Sequence, residues 1–198
     1  MNNMFPTRRR FLTGAISGLA LSVALPQAAL AFSSAQAEAL ITKTVNDINT
    51  IINSGKSEAS MYRDFENVLV RYADTPNIAR SVLGPPARSA SAAQLRAFTQ
   101  AFQGYIARKY GSRFREFIGG KIEVKGTQKI SSIYDVSCTA TLRGEAPFAI
   151  SFIVADKTGK FIDLTIEGIS LLKSERAEIG AMLDKAGGNI DTLTARLK

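Results

Sequence analysis

The chain has 198 residues, 45% of them hydrophobic, and its 25 basic and 17 acidic residues give a formal charge of +8 at pH 7. It contains no histidine and no tryptophan, and its single cysteine is Cys138. This composition excludes Ser-His-Asp and Cys-His catalysis, the commonest zinc sites and any intramolecular disulfide.

Residues 1–31 have the features of a cleaved export signal. Arg8–Arg10 precede an apolar run, and Ala29–Ala31 offers small residues for cleavage near Phe32. The segment TRRRFL resembles a twin-arginine signal, although general secretion stays open. Two glycines and a proline interrupt the apolar run, which falls short of the roughly 20 residues that an uncleaved membrane anchor needs. We therefore expect a periplasmic protein with one mature domain, residues 32–198.

The charge of the mature domain is smaller than that of the whole chain. The signal holds three of the 25 basic residues and none of the 17 acidic ones, which leaves 22 against 17. This mild excess is spread along the chain, and in an exported protein it argues against a nucleic-acid partner. We expect a monomer.

Apolar residues recur at helical spacing in the first part of the mature domain. Ser33 with Gln36, and Ser91 with Gln94, have the spacing of capping boxes. The helices are predicted at about 33–53, 57–72, 75–83 and 91–110, followed by one or two further turns up to residue 120. The segment GPPARSA between the last two of these helices is predicted to be a connector.

After Gly120 the apolar period changes from 3.6 to 2, which indicates strands. They are predicted at about 121–130, 133–143, 147–155 and 160–168, and the last three should form an antiparallel meander because their connections are short. Two closing helices are predicted at about 174–186 and 189–197. The fold class is therefore α+β: N-terminal helices, a curved, four-stranded, mainly antiparallel sheet and closing C-terminal helices, forming a cone with an apolar interior.

Alternation assigns the faces of the sheet. Tyr134, Val136, Cys138, Ala140 and Leu142 share one face of the second strand, and Ile162, Leu164 and Ile166 share one face of the fourth. This inner face carries no carboxylate, since Asp135 and Asp163 are predicted to point the other way. Acid–base catalysis is therefore disfavoured, although a one-residue slip would reverse the assignment.

Cys138 is predicted to be an inert, buried residue, because no basic side chain lies beside it on its face. The apolar inner face is either a solid core or the lining of a cavity for an apolar ligand. The residue pattern alone leaves both open.

Three segments together resemble the MlaC family of periplasmic lipid-binding proteins, also called the toluene-tolerance or auxiliary organic-solvent-tolerance family. The segment IEGISLL, with Arg176 after it, is similar to the family's C-terminal hallmark. Gln94, Phe98, Phe102 and Tyr110 fit its long helix, and ADTPNIARSVLG fits the preceding segment. The chain departs from the family where GPPAR lacks an aromatic residue, where Ser174-Glu175 replaces an Asn-Tyr pair, and in having no tryptophan.

The resemblance implies a lipid carrier rather than an enzyme, with bound lipid and no other cofactor. The implied partners are phospholipid, or a hopanoid-type lipid, an inner-membrane ABC-type transport complex and an outer-membrane lipoprotein complex. The segment ISLL would extend the apolar wall of the pocket beyond the sheet edge. The predicted lipid-binding residues are Phe65, Leu69, Leu83, Phe98, Phe102, Tyr105, Ile106, Tyr134, Val136, Leu142, Phe148, Ile150, Phe152, Leu164, Ile166, Ile169 and Leu172.

Two alternatives remain at this stage. A structural or interaction protein would have a filled core in place of the cavity. A cone-shaped α+β enzyme would need a carboxylate on the inner face.

Overall fold

The computed structural model describes Met1 and residues 32–198, except for the side chain of Phe114. The predicted export signal, its cleavage site and its twin-arginine motif lie outside the described residues.

The helices of the described chain follow the predicted order. Their bounds are α1 Ser34–Ile52, α2 Glu58–Tyr72, α3 Thr75–Leu83, α4 Ala92–Gly111, α5 Leu171–Lys185 and α6 Ile190–Arg196, with 3₁₀ turns at Pro85–Arg88 and Ser112–Phe117. Two differences from the prediction stand out. The connector GPPARSA contains a 3₁₀ turn, and α5 begins about three residues earlier than predicted because the Ser170 hydroxyl accepts a hydrogen bond from the Lys173 N–H.

Both predicted capping boxes are confirmed. At the start of α1 the Gln36 N–H donates to the Ser33 hydroxyl at 3.3 Å, and the Ser33 N–H donates to Gln36 Oε1 at 2.8 Å. At the start of α4 the corresponding bonds between Gln94 and Ser91 measure 3.1 and 3.0 Å. These bonds satisfy N–H groups that a helix start leaves without an intrahelical partner, so the two longest helices begin where the sequence says they should.

The sheet is a fully antiparallel meander in which each strand pairs with the next along the chain. Its strands are β1 Lys121–Ile130, β2 Ile133–Thr141, β3 Phe148–Ala155, β4 Lys160–Ile166 and β5 Ile169–Ser170. The four predicted strands are present, and the two-residue β5 adds a fifth. The α+β class is therefore confirmed.

A β-bulge in β4 corrects one predicted face. The register shifts between Ile153 and Val154, so that Val154 pairs with Phe161. Phe161 therefore joins Leu164 on the inner side and is buried, and Ile162 is the extra residue of the bulge. Strict alternation missed this residue because a bulge reverses the alternation along a strand.

Apolar packing is divided between two clusters. In the first, α1 lies across the inner face of the sheet, and Ile41 and Val45 pack with Tyr134 and Val136. The second joins α3, α4, α5 and α6, with Phe98 at its centre. The arrangement leaves space between the sheet and the helices. Among the described residues, no helix combines the length and apolar content that crossing a membrane requires.

Candidate functional site

A cavity of about 710 Å³ lies between the inner face of the sheet and helices α1–α5. This volume is within the range of about 300–1,000 Å³ that is typical of small-molecule sites. A filled core, the alternative that the sequence left open, would not contain such a space.

Apolar side chains from nearly every element make up most of the lining. The apolar lining residues are Ile48, Ile52, Phe65, Val68, Leu69, Ala73, Ile78, Val82, Phe102, Ile106, Phe117, Ile122, Leu142, Ala146, Phe148, Ile150, Phe152, Phe161, Ile162, Leu164, Ile166, Leu171 and Leu172. Such a surface favours a ligand with long hydrocarbon parts, because burying hydrocarbon gains about 25 cal/mol for each Å² removed from water.

Eleven of the predicted lipid-binding residues lie in this lining. They are Phe65, Leu69, Phe102, Ile106, Leu142, Phe148, Ile150, Phe152, Leu164, Ile166 and Leu172. They come from both halves of the fold, and it is the packing of the helices over the sheet that brings them together.

The other six predicted residues lie away from the cavity. Leu83 and Phe98 are buried in the second apolar cluster, on the side of α3 and α4 that faces α5 and α6. Tyr134 and Val136 are buried beneath α1. Tyr105 turns outward to donate a hydrogen bond to Glu178 at 2.5 Å.

Ile169 is the last of these six and is 65% exposed; it lies in β5, directly after the two-residue turn that follows β4. The expectation that ISLL extends the apolar wall applies instead to Leu171 and Leu172, which line the cavity from the start of α5.

Several lining residues were not among the predicted ones. Ile48 and Ile52 belonged to a visible helical stripe that was assigned to ordinary core. Phe161 was not predicted because the bulge reverses the alternation in β4. Phe117 was not predicted because it lies in an irregular 3₁₀ turn. The helical period could have identified the two isoleucines as candidate lining residues. Nothing in the local sequence pattern identifies the two phenylalanines as lining residues.

Exposed polar residues mark one end of the cavity. Arg113 follows α4, Glu145 lies in the β2–β3 turn, and Glu167 lies between β4 and β5; all three border the cavity and are exposed. This end is therefore its opening to solvent. Deeper in the wall, the Gln103 amide donates to the Thr75 hydroxyl at 2.7 Å, so these two polar groups satisfy each other.

Asp163 also borders the cavity, although the sequence placed it on the outer face. Its carboxylate points to the start of α5, where it accepts hydrogen bonds from the Ser170 hydroxyl at 2.6 Å and the Leu172 N–H at 2.9 Å. A third donor is the Leu164 N–H at 2.8 Å. These bonds use both oxygens of Asp163 and give it a structural role in fixing β4 to α5.

A second polar group in the wall is Glu175, which is only 3% exposed. Its Oε1 accepts hydrogen bonds from Lys109 Nζ at 2.7 Å and from the Tyr110 hydroxyl at 2.6 Å. Lys109 Nζ also donates to Glu178 Oε2 at 2.6 Å, and the Tyr105 hydroxyl donates to Glu178 Oε1. We call these five residues the Glu175 cluster.

The Glu175 cluster shifts the pKa values of its members. Burial and the hydrogen bond to Glu178 raise the pKa of Tyr105 to about 12, and burial and Glu175 raise the pKa of Tyr110 further. Burial would lower the pKa of Lys109, but the hydrogen bonds to Glu175 and Glu178 outweigh it and leave that pKa raised. At neutral pH both tyrosines are therefore neutral and Lys109 is charged.

Nucleophilic and metal chemistry find no support in the described residues. Burial, together with the charge of Asp135, raises the pKa of the Cys138 thiol to about 12, which keeps it protonated and unreactive. Within residues 32–198, no three or more Cys, Asp or Glu side chains are grouped so that they could hold a metal ion.

A solved structure has the same fold. It is a phospholipid-binding protein from Ralstonia solanacearum in complex with a phospholipid, and it superposes with a TM-score of 0.70 at 19% sequence identity. The match covers 81% of this chain and 94% of the other.

The family comparison agrees with the resemblance found in the three sequence segments. The model of the family described as MlaC protein matches residues 42–198, which include the cavity-lining residues named above. The chain belongs to the MlaC family.

Proposed function

We propose that the mature protein is a periplasmic lipid carrier that holds acyl chains in the cavity. The observation that carries the proposal is the cavity itself, about 710 Å³ of space with a mainly apolar lining and one polar, exposed end. A lipid would place its tails among Phe65, Phe152 and Leu164, and its headgroup near the opening.

The energetics of hydrocarbon explain why such a cavity suits transport. Moving an acyl chain into water costs about 0.8 kcal/mol for each methylene, so ten methylenes already cost about 8 kcal/mol. A carrier lowers this barrier by replacing the bilayer interior with a dry protein interior. It does not need to bind lipid more tightly than a membrane does, and it needs no catalytic group.

The comparisons support phospholipid as the ligand. The Ralstonia solanacearum protein with the same fold is in complex with a phospholipid. A hopanoid-type lipid is the second ligand that the proposal allows, since it would also fill an apolar cavity. Bound lipid is then the only cofactor, and the protein is a binding protein rather than an enzyme.

The proposed partners follow from the family. The carrier would exchange lipid with an ABC-type complex in the inner membrane and with a lipoprotein complex at the outer membrane. Export would use the predicted signal in residues 1–31, by the twin-arginine route, and the mature chain would act as a monomer.

Two tryptophan substitutions test the assignment of the cavity. Leu164→Trp places a larger side chain in the lining, so we expect lipid uptake from vesicles to fall severalfold. The lipid-free variant should keep its urea stability, whereas overpacking a filled core would cost about 1–3 kcal/mol.

Ile169→Trp is the matched control, because Ile169 is close in the chain but 65% exposed. It should take up lipid as the unmodified protein does. The proposal is contradicted if Leu164→Trp binds lipid normally or if both variants lose lipid equally.

A further inference from the structure

The charged residues that border the cavity are mostly acidic, although the mature domain as a whole is basic. Residues 32–198 hold 22 basic and 17 acidic side chains. The charged residues of the cavity lining are Arg113, Glu145, Asp163, Glu167 and Glu175. Four carboxylates against one guanidinium give the lining a formal charge of −3, opposite in sign to the net charge of the domain.

Two of these five residues already have a partner of opposite charge. The Arg113 guanidinium donates to Glu116 from Nε at 3.1 Å and from Nη2 at 3.0 Å. The Glu175 carboxylate is paired with Lys109 at 2.7 Å. The lining therefore offers a negative ligand no cation that lacks a carboxylate of its own.

The other three carboxylates have no ion-pair partner among the described residues. Glu145, in the β2–β3 turn, and Glu167, directly after β4, are exposed at the opening. Asp163 accepts hydrogen bonds only from neutral groups, the Ser170 hydroxyl and two backbone N–H groups. These three carboxylates decide the sign of the charge that a ligand meets.

Cations outside the lining do not reverse this sign at the opening. Arg143 and Lys173 are close to lining residues in the chain, but both are exposed and neither borders the cavity. Charges that line a cleft with low-dielectric walls act more strongly than the same charges on an open surface. A headgroup with a net negative charge is therefore repelled at the opening, whereas an ammonium group is attracted.

We infer that the cavity favours lipids whose headgroup carries an ammonium group over lipids whose headgroup has a net negative charge. The inference rests on the proposed lipid-binding function and makes the ligand class more specific. The ammonium of a zwitterionic phospholipid lies near Glu145 and Glu167 when the acyl chains fill the cavity. An anionic phospholipid brings its phosphate to the same place without an ammonium.

Three phospholipids with identical acyl chains test this selection by charge. Phosphatidylethanolamine and phosphatidylcholine carry an ammonium group, and phosphatidylglycerol has a net negative charge. The lipid-free protein is incubated with vesicles that contain equal amounts of all three, and the bound lipids are measured by mass spectrometry. Because the three lipids share the same vesicles, the attraction of the basic domain to the vesicle surface is the same for each.

We expect the unmodified protein to hold about fivefold more phosphatidylethanolamine, and about fivefold more phosphatidylcholine, than phosphatidylglycerol at low ionic strength. This preference is within the range that two ion pairs at exposed positions allow. It should become smaller when salt is added, because salt screens exposed charges.

Two double variants assign the preference to the opening. Glu145→Gln combined with Glu167→Gln removes two carboxylates that border the cavity and should at least halve the preference. Asp156→Asn combined with Asp184→Asn is the matched control. It removes the same number of charges from residues that do not border the cavity, and it should keep the preference.

Equal uptake of phosphatidylcholine and phosphatidylglycerol by the unmodified protein would overturn the inference and leave the proposed carrier function intact. An unchanged preference in the Glu145 and Glu167 double variant would also overturn it, as would an equal loss of preference in the control. The preference of the unmodified protein decides the matter even if a variant fails to fold. Uptake of none of the three lipids would contradict both proposals.

Discussion

At the scale of single residues, the polar groups near the cavity are held by specific partners. Asp163 accepts three hydrogen bonds, and Lys109 lies between Glu175 and Glu178. The sequence prediction that the inner side carries no carboxylate was wrong, because Asp163 and Glu175 both border the cavity. The sequence could not predict the Glu175 cluster, because residues 105–110 and 175–178 come together only when α4 and α5 both pack against α3.

The Glu175 cluster predicts how stability depends on acid pH. Hydrogen bonds from Lys109 and then Tyr105 lower the pKa of Glu178 below its ordinary value of 4.5. A group with a lowered pKa stabilises the folded state above its unfolded pKa and loses this contribution as the pH falls through the folded pKa.

We therefore expect Glu178→Gln to lose stability at about pH 7 and to have a smaller further loss on acidification to about pH 3 than the unmodified protein. Urea midpoints at the two pH values measure this difference. An identical loss of stability on acidification in the two proteins would contradict the lowered pKa of Glu178. Since Glu178 is about half exposed, the effect should be modest.

At the scale of helices and strands, local sequence signals located most boundaries. Capping boxes at Ser33 and Ser91 begin α1 and α4 as predicted. The period change at Gly120 located the sheet. The bulge at Ile162 could not be predicted, because it depends on pairing with β3. The early start of α5 rests on the Ser170 cap, a local signal that the prediction overlooked, and on the hydrogen bond from the Leu172 N–H to Asp163 of β4.

Phe32, the first residue of the domain that the structure describes, contacts Tyr134 of β2. The Phe32 ring lies edge-on to Tyr134 with ring centroids 5.6 Å apart, and its carbonyl accepts a hydrogen bond from the Tyr134 hydroxyl. We expect Phe32→Ala to destabilise the domain by about 1–3 kcal/mol, less than a fully buried Phe→Ala change because Phe32 is half-buried.

Phe32→Leu should lose less stability than Phe32→Ala, since leucine keeps apolar volume over the Tyr134 ring. Urea unfolding of residues 32–198 and of the two variants measures this. Equal midpoints for all three would show that the segment before α1 contributes nothing. The predicted cleavage near Phe32 would leave this residue at the mature N-terminus.

At the scale of the whole molecule, the central feature is a space that packing leaves open. One apolar cluster joins α1 to the sheet, and the other joins the four helices α3, α4, α5 and α6 to one another. Neither cluster fills the volume that lies between the two clusters. Alternation and helical periodicity identify apolar faces, and most predicted residues on those faces line the cavity. They could not separate core from lining, as Phe98 and Val136 illustrate, because that distinction depends on how the layers are spaced.

The most direct test of the carrier account is native mass spectrometry of residues 32–198 purified without detergent from a bacterial periplasm. The account predicts a bound lipid with the mass of a phospholipid or hopanoid-type lipid, lost on organic extraction and regained after incubation with vesicles. A protein that carries no lipid on purification, and acquires none from vesicles while its urea stability shows that it is folded, would contradict the account.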